Sequence, residues 1–219
     1  MKNIEIECLE RQKELAPIHE AGHAVAARYV QLEIVSVDIY EESGGKCGNT
    51  RVIPMSAEYS LTSNLPLDPC EALLGFKRHN FQVLAGAAAQ AHYLYTKNLR
   101  NLSGFMSFQP ENWGIIIEFS KDDKFFEFSE EKLTSGTAFF LNETGATGDW
   151  VTLLGHFNKL PYHYFDDFNT HEKRSDYLRT LWLATLEKVR EKWDDVNIVA
   201  EALKTQKCLS GDEVESLLE

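Results

Sequence analysis

The first thirty residues of the chain have the periodicity of a helix. Residues 5–15 alternate charged and apolar side chains at helical spacing, and residues 17–30 continue with P-I-H-E-A-G-H-A-V-A-A-R-Y-V, in which four alanines favour a helix. Pro17 suits the first turn of a helix, where its missing N–H costs nothing. The pattern allows two connections between the stretches: a direct one with a kink at Pro17, or a short break.

A strand pattern follows. Residues 34–39, I-V-S-V-D-I, alternate with the two-residue period of a strand. Residues 41–50, E-E-S-G-G-K-C-G-N-T, have the composition of a turn, and residues 51–54 predict a second short strand. We therefore expect a β hairpin or a small sheet directly after the first helix.

The other regular segments are predicted to be helical. A helix resumes near residue 71, and small residues are concentrated in its stretch at 81–95, which favours close packing against a neighbouring helix. Apolar residues recur every three or four positions from 178 to 203. Ser210 and Glu213 form a capping-box pattern that predicts a last short helix. The fold class predicted by these patterns is mainly α with a small β hairpin or sheet.

The composition fits one domain. With 219 residues, 43% of them hydrophobic, the chain can bury one sizeable core, so we expect a single domain over 1–219. A formal net charge of −12 opposes nucleic-acid binding, because lysine and arginine are needed to neutralise phosphates. The charged N-terminus and the lack of a long apolar run predict a protein that is neither secreted nor membrane-spanning. The four cysteines form no C-x-x-C pair, which fits a reducing, cytoplasmic location.

One motif suggests chemistry. His19, Glu20 and His23 spell H-E-x-x-H inside the first predicted helix. Residues four apart lie on the same face of a helix, so both imidazoles can bind one metal ion. Zn2+ suits neutral imidazole, and a catalytic zinc takes three protein ligands and leaves a fourth position open. Glu20 would lie beside the metal, where its carboxylate can act as a general base.

The alternative to a metal site is a chance occurrence of the motif. Ordinary residue frequencies produce an accidental H-E-x-x-H in on the order of one chain in a hundred or fewer, and many such copies would fall in loops. The copy at 19–23 lies in a predicted helix, which favours the metal site. His92, His156, His163 and His171 are predicted to be packed or surface residues rather than ligands.

Two histidines alone do not hold a catalytic zinc firmly, so a third ligand is expected elsewhere. The extended motif H-E-x-x-H-x-x-G-x-x-H is absent, because Ala26 and Tyr29 occupy its glycine and histidine positions. The third ligand is therefore expected far from the motif in sequence.

The stretch I-H-E-A-G-H-A-V-A resembles the metal helix of the FtsH-type zinc metalloproteases, whose protease domain is mainly helical. Two further blocks agree in the same order. L-A-G-A-A-A-Q-A at 84–91 is similar to the family's L-G-G-R-A-A-E-E, and T-G-A-T-G-D-W at 144–150 resembles its T-G-A-S-N-D-L. Through the last block, the resemblance implies that Asp149 is the third zinc ligand.

The chain departs from this family in three places. Gln90 and Ala91 stand where the family has an acidic pair. Residues 98–142 stand where the family has a short link, so they are predicted to be an insertion. No G-x-x-x-x-G-K-[ST] motif occurs, so the family's ATPase module is not expected in this chain.

The resemblance implies an FtsH-peptidase-like helical fold and a zinc-dependent metalloendopeptidase that hydrolyses peptide bonds of unfolded or short peptides. His19, His23 and Asp149 would bind zinc, and Glu20 would be the catalytic base. The expected partners are a peptide or unfolded protein substrate, with a separate ATPase or a homo-oligomer as further options, and neither nucleic acid nor membrane. The predicted hairpin would either align a peptide through main-chain hydrogen bonds or be purely structural.

Two alternatives stand beside this function. The first is a catalytically silent, zinc-containing peptidase-like module that binds peptides or a partner protein. The second is a helical interaction protein without a metal, in which the motif is accidental. Measuring the metal content distinguishes the metal-free interaction protein from the two zinc-containing options. Testing whether Glu20 acts as a base distinguishes the silent module from the peptidase.

Overall fold

The structure, a computed structural model, describes residues 2–42, 45–53, 69–96, 148–149, 152–153, 156 and 170–219. The helices and strands in these ranges are α1 (Lys2–Tyr29), β1 (Glu33–Glu42), β2 (Gly45–Ile53), α2 (Pro69–Thr96), α3 (His171–Glu191), α4 (Trp193–Gln206), β3 (Cys208–Ser210) and α5 (Gly211–Leu217). The strands form an antiparallel sheet in the order β2-β1-β3. The prediction of a mainly α-helical fold with a small sheet is confirmed. The predicted insertion at 98–142 lies outside the described residues.

Helix α1 continues through Pro17, so of the two connections that the sequence allows, the structure shows the direct one, and Pro17 does not occupy a first helical turn. A proline inside a helix removes one hydrogen bond and costs roughly 3 kcal/mol. The neighbouring Ala16 and Ile18 are buried in the core, so packing of this turn offsets the lost bond. Helix propensity alone does not include this tertiary contribution.

Strands β1 and β2 form a longer hairpin than the alternation of residues predicts. They pair from Glu33 opposite Ile53 to Glu42 opposite Gly45. The predicted turn at 41–50 is therefore wrong, because most of these residues belong to the paired strands. Glycine and polar side chains have low strand propensity, but ladder hydrogen bonds to a neighbouring strand override it.

Strand β3 is not predicted by the sequence pattern, because three residues are too few to show an alternation. Its central residue, Leu209, pairs with Val37 in β1, and both side chains are fully buried. Lys207 ends α4 with a left-handed φ of 65° and leads the chain into β3. Ser210 then caps α5 in a capping box with Glu213, as predicted.

Helices α1 and α2 pack closely, as the small residues of α2 predicted. A Cβ at Gly22 would lie 2.6 Å from the carbonyl oxygen of Ala85 and 2.7 Å from the Cβ of Ala89, so only glycine fits there. Helix α3 packs against α2, and α4 packs against α1. Within the described ranges, no helix combines the length and apolar character needed to cross a lipid bilayer.

Candidate metal centre

Helix α1 places the two histidines of the motif on its buried face. Their Nε2 atoms lie 3.0 Å apart, and the rings meet edge to face with centroids 4.6 Å apart. His19 is 7% exposed and His23 is 5% exposed, so water contributes little to the solvation of either ring. The four-residue spacing thus produces the side-by-side arrangement that the sequence predicted.

Asp149 approaches this pair from a distant part of the chain. Its Oδ2 atom lies 2.9 Å from Nε2 of His19 and 3.3 Å from Nε2 of His23. The three atoms therefore form a triangle with sides of 2.9 to 3.3 Å. A tetrahedral ion with bonds of about 2.0 Å has ligands about 3.3 Å apart, so the triangle is close to the size that zinc requires.

The donor set of this cluster fits a cation. Oδ2 of Asp149 is buried, and its close polar contacts among the described residues are those with the two histidines. Neutral His19 and His23 would direct nitrogen lone pairs at the same point, and three converging acceptors repel one another unless a proton or a metal ion lies between them. Within the part of the chain that the structure describes, this is the group of residues that could hold a metal ion.

Helix α2 orients His23. The Nδ1 atom of His23 lies 2.8 Å from the main-chain carbonyl oxygen of Gln82, and a carbonyl can only accept, so Nδ1 carries the hydrogen and donates. The lone pair of the neutral ring then lies on Nε2, which faces Asp149. A backbone acceptor on the second nitrogen is the usual device by which proteins fix the tautomer and orientation of a metal-binding histidine.

Gly86 of α2 provides the space for both imidazoles. A Cβ at this position would fall inside the contact distance of Nε2 of His23 and would lie 2.8 Å from Cε1 of His19. Because the hydrogen bond to Gln82 holds His23, its ring has little freedom to move away. The glycine at this position is therefore required by the two imidazoles of the site.

The charges of the cluster favour a bound cation. Burial alone would lower the pKa of His23, but the Asp149 carboxylate, with smaller contributions from Glu20 and the Gln82 carbonyl, raises that pKa to about 9. Burial would raise the pKa of Asp149, but the charges of His23 and His19 hold it well below its usual range. At neutral pH, the metal-free cluster is therefore an imidazolium–carboxylate pair, and a metal ion must displace a proton to bind.

Strand β2 holds Glu20, the predicted base, which is 4% exposed. The hydroxyl of Thr50 donates to Oε2 of Glu20 at 2.7 Å, with the main-chain oxygen of Glu20 3.2 Å away. Gly48, two residues earlier in β2, leaves room for the carboxylate, because a Cβ there would overlap it. β2 thus leaves space for the carboxylate of Glu20 at Gly48 and supplies a hydrogen-bond donor to it at Thr50.

The sequence pattern did not identify the residues that support the site. Gly48 and Thr50 lie in the segment predicted as a turn, and the carbonyl group of Gln82 has no sequence signature. The cluster of small residues at 85–89 indicated close helix packing, but not that Gly86 faces the imidazoles.

The structure places two of the other histidines away from the cluster. His92 packs edge to face against Trp193 with ring centroids 4.6 Å apart, and Nδ1 of His156 lies 2.8 Å from Oδ1 of Asn80. His163 and the side chain of His171 lie outside what the structure describes.

Gln90 of α2 is buried. Its Nε2 atom donates a long hydrogen bond, 3.5 Å, to the main-chain oxygen of Leu15. Gln90 thus links α2 to α1 one turn before His19.

No protein-family model matches the chain, and no curated protein matches it either. The functional assignment therefore rests on the residues and their geometry.

Proposed function

We propose that this chain is a zinc-dependent metalloendopeptidase that hydrolyses peptide bonds of unfolded or short peptides, on an FtsH-peptidase-like fold. The observation that carries the proposal is the convergence of two imidazole nitrogens and one carboxylate oxygen at separations of 2.9 to 3.3 Å. Three such ligands leave one coordination position open, as in catalytic zinc sites, whereas structural zinc sites fill all four positions. The buried carboxylate of Glu20 near this cluster supplies the base that peptide hydrolysis needs.

In this mechanism, His19, His23 and Asp149 would hold the zinc ion. When bound, zinc supplies a Lewis acid that polarises a peptide carbonyl and makes water acidic near neutral pH. Glu20 accepts a proton from the attacking water and later donates it to the leaving amine. The hydroxyl of Thr50 holds Oε2 of Glu20, so Oε1 is the oxygen that takes up the proton.

Elemental analysis of the purified protein, before and after treatment with a chelator, tests the metal assignment. We expect about one zinc per chain, most of which is lost in His19→Ala and in Asp149→Ala. Asp176→Ala, an exposed aspartate on α3, is the matched control and should keep the metal. Full zinc retention by Asp149→Ala would overturn the third-ligand assignment and leave the histidines standing.

The role of Glu20 is tested with Glu20→Gln, which keeps the shape of the side chain and removes the base. Zinc should stay, while hydrolysis of an unfolded polypeptide should drop by a factor on the order of a hundred or more. Glu201→Gln, at an exposed site on α4, should leave both unchanged. Comparable cleavage by Glu20→Gln would remove Glu20 from the mechanism. Zinc without any cleavage by the unaltered protein would instead support the catalytically silent binding module.

The substrate class is tested with a stable folded domain and its unfolded counterpart, each with and without ATP. A folded domain resists local extension by roughly 5–15 kcal/mol, which a peptidase without an unfoldase does not supply. The chain has no phosphate-cradling Gly-Lys motif, so ATP should have no effect. We expect fragments from the unfolded substrate alone. ATP-stimulated cleavage of the folded domain by this chain would contradict the proposal.

A further inference from the structure

A further polar contact, partly buried, joins α2 to the segment that carries Asp149. Nδ1 of His156 lies 2.8 Å from Oδ1 of Asn80, and because this oxygen accepts, the imidazole N–H donates. Asn80 is fully buried, whereas His156 is only partly buried. A buried amide is costly unless it is hydrogen-bonded, so losing this contact would leave the amide oxygen of Asn80 unsatisfied and would destabilise the fold.

The spacing of residues in this segment connects the contact to the metal centre. The described positions 148, 149, 152, 153 and 156 are all helical. Asp149, Leu153 and His156 follow one another at intervals of four and three residues, the spacing that places side chains on one face of a helix. Leu153 is fully buried, so this face is turned toward the protein interior. Helical positions seven residues apart are separated by about 10 Å along the axis, so His156 is expected about two turns from Asp149.

A short stretch of α2 contacts both α1, which carries the two histidines, and the segment that carries Asp149. Asn80 bonds to His156 on the Asp149 segment, while the carbonyl of Gln82, two residues later, bonds to His23 of α1. Gly86, one turn further, faces both imidazoles. This part of α2 therefore sets the position of the α1 histidines and of the remote segment relative to one another.

We propose that Asn80 and His156 are positioning residues of the metal centre, whose hydrogen bond places the carboxylate of Asp149 against His19 and His23. This inference rests on the zinc site of the proposed function. Asp149 comes from a distant part of the chain, so its segment has to be held in place for the ligand to be available when the metal binds. The hydrogen bond two turns away limits sliding and rotation of that segment.

The experiment measures the zinc dissociation constant of metal-stripped protein by competition with a chromogenic chelator, together with the melting temperature of the metal-free form. Asn80→Leu removes the acceptor at similar side-chain size, and His156→Phe removes the donor. Each should weaken zinc binding roughly 10- to 100-fold, the usual effect of losing a residue that orients a ligand. His156→Asn, whose amide can donate from about the position of Nδ1, should restore most of the affinity.

Two controls separate positioning from general stability. Thr185→Val removes another buried side-chain hydrogen bond, from Thr185 Oγ1 to the carbonyl of Leu181 at 2.7 Å, and should lower the melting temperature without changing zinc affinity. In an Asp149→Ala background, His156→Phe should cause no further loss of zinc affinity, because its effect is transmitted through Asp149.

Two results would overturn the positioning role while leaving the zinc site intact. The first is unchanged zinc affinity in both Asn80→Leu and His156→Phe. The second is an equal loss from His156→Phe with and without Asp149. A failure of the zinc site on which this inference rests is distinct, since the unaltered protein would then bind no zinc in the same titration.

Discussion

The α1–α2 interface and the C-terminal helices are built from side chains of different size. Where α1 meets α2, the contact is made through glycine and alanine, at Gly22, Gly86 and Ala89. The buried faces of α3 and α4 instead carry large apolar residues: Leu178, Trp182, Leu186, Val189, Val196, Val199 and Leu203. Small residues let a carbonyl group and two imidazoles come within contact distance, whereas large residues bury apolar area and stabilise the fold. The site should therefore be sensitive to added atoms, and the scaffold to removed ones.

The largest effect is expected from Gly86→Ala. One added methyl group would overlap His23 and His19, and the hydrogen bond to Gln82 prevents His23 from yielding. Zinc content should fall to near zero, with catalytic activity lost as a consequence, because the histidines can no longer converge. Gly148→Ala is the matched control: it is next to Asp149, no atom of the described residues lies within 4 Å of the added Cβ, and zinc should be retained. Normal zinc content in Gly86→Ala would show that the interface is not close-packed at the site.

Leu186→Ala tests whether the C-terminal helices are sensitive to the removal of side-chain atoms. Leu186 is 1% exposed, and truncating it leaves a cavity, so the free energy of unfolding should fall by roughly 2–5 kcal/mol. Zinc per chain should not change, because the contacts of His19 and His23 described above are made with α2 and with Asp149. Leu183→Ala, on the same helix but 42% exposed, should change the free energy of unfolding by less than about 1 kcal/mol. Denaturant unfolding measures both, and equal losses would mean that burial does not distinguish these positions.

A smaller effect is expected from Thr50→Val, which keeps the shape of the side chain and removes the donor to Glu20. A hydrogen bond to a charged group contributes roughly 1.5–3 kcal/mol, so peptide hydrolysis should fall by roughly 10- to 100-fold. Zinc content should stay at its original level. Thr50→Ser keeps the hydroxyl and should retain most of the activity. Equal activity of the valine and serine variants would mean that the hydroxyl does not hold the catalytic carboxylate.

The smallest expected effect is the release of a single proton when zinc binds. Since the pKa of His23 is raised to about 9, its contribution to the stability of the metal-free protein is fully present below its unfolded pKa of 6.5 and is lost as the pH rises through about 9. Zinc binding near pH 7.5 should release about one proton, and apparent affinity should rise roughly tenfold per pH unit up to about pH 9. Calorimetric titration in buffers of different ionisation enthalpy measures this release. Identical heats in all buffers would contradict a protonated His23.

The sequence determined the local features of this protein. A spacing of four residues is enough to place His19 and His23 on one helix face, because helix geometry is the same in any context. The capping box of Ser210 and Glu213 and the helical pattern of the C-terminal region are local for the same reason. The assignment of Asp149 as the third ligand came from resemblance to a family, since it lies far from His19 and His23 in the sequence and shares no spacing with them.

Tertiary structure decided the remaining features. Pro17 stays inside α1 because the surrounding turn is buried, and most of residues 41–50 become strand because they pair with β1. The convergence of Asp149 with the α1 histidines at 2.9 and 3.3 Å depends on how distant segments pack. The carbonyl of Gln82 and the hydroxyl of Thr50 each form a hydrogen bond to a residue far away in the sequence. Such a bond depends on how the two structural elements pack, so residue spacing along the chain does not predict it.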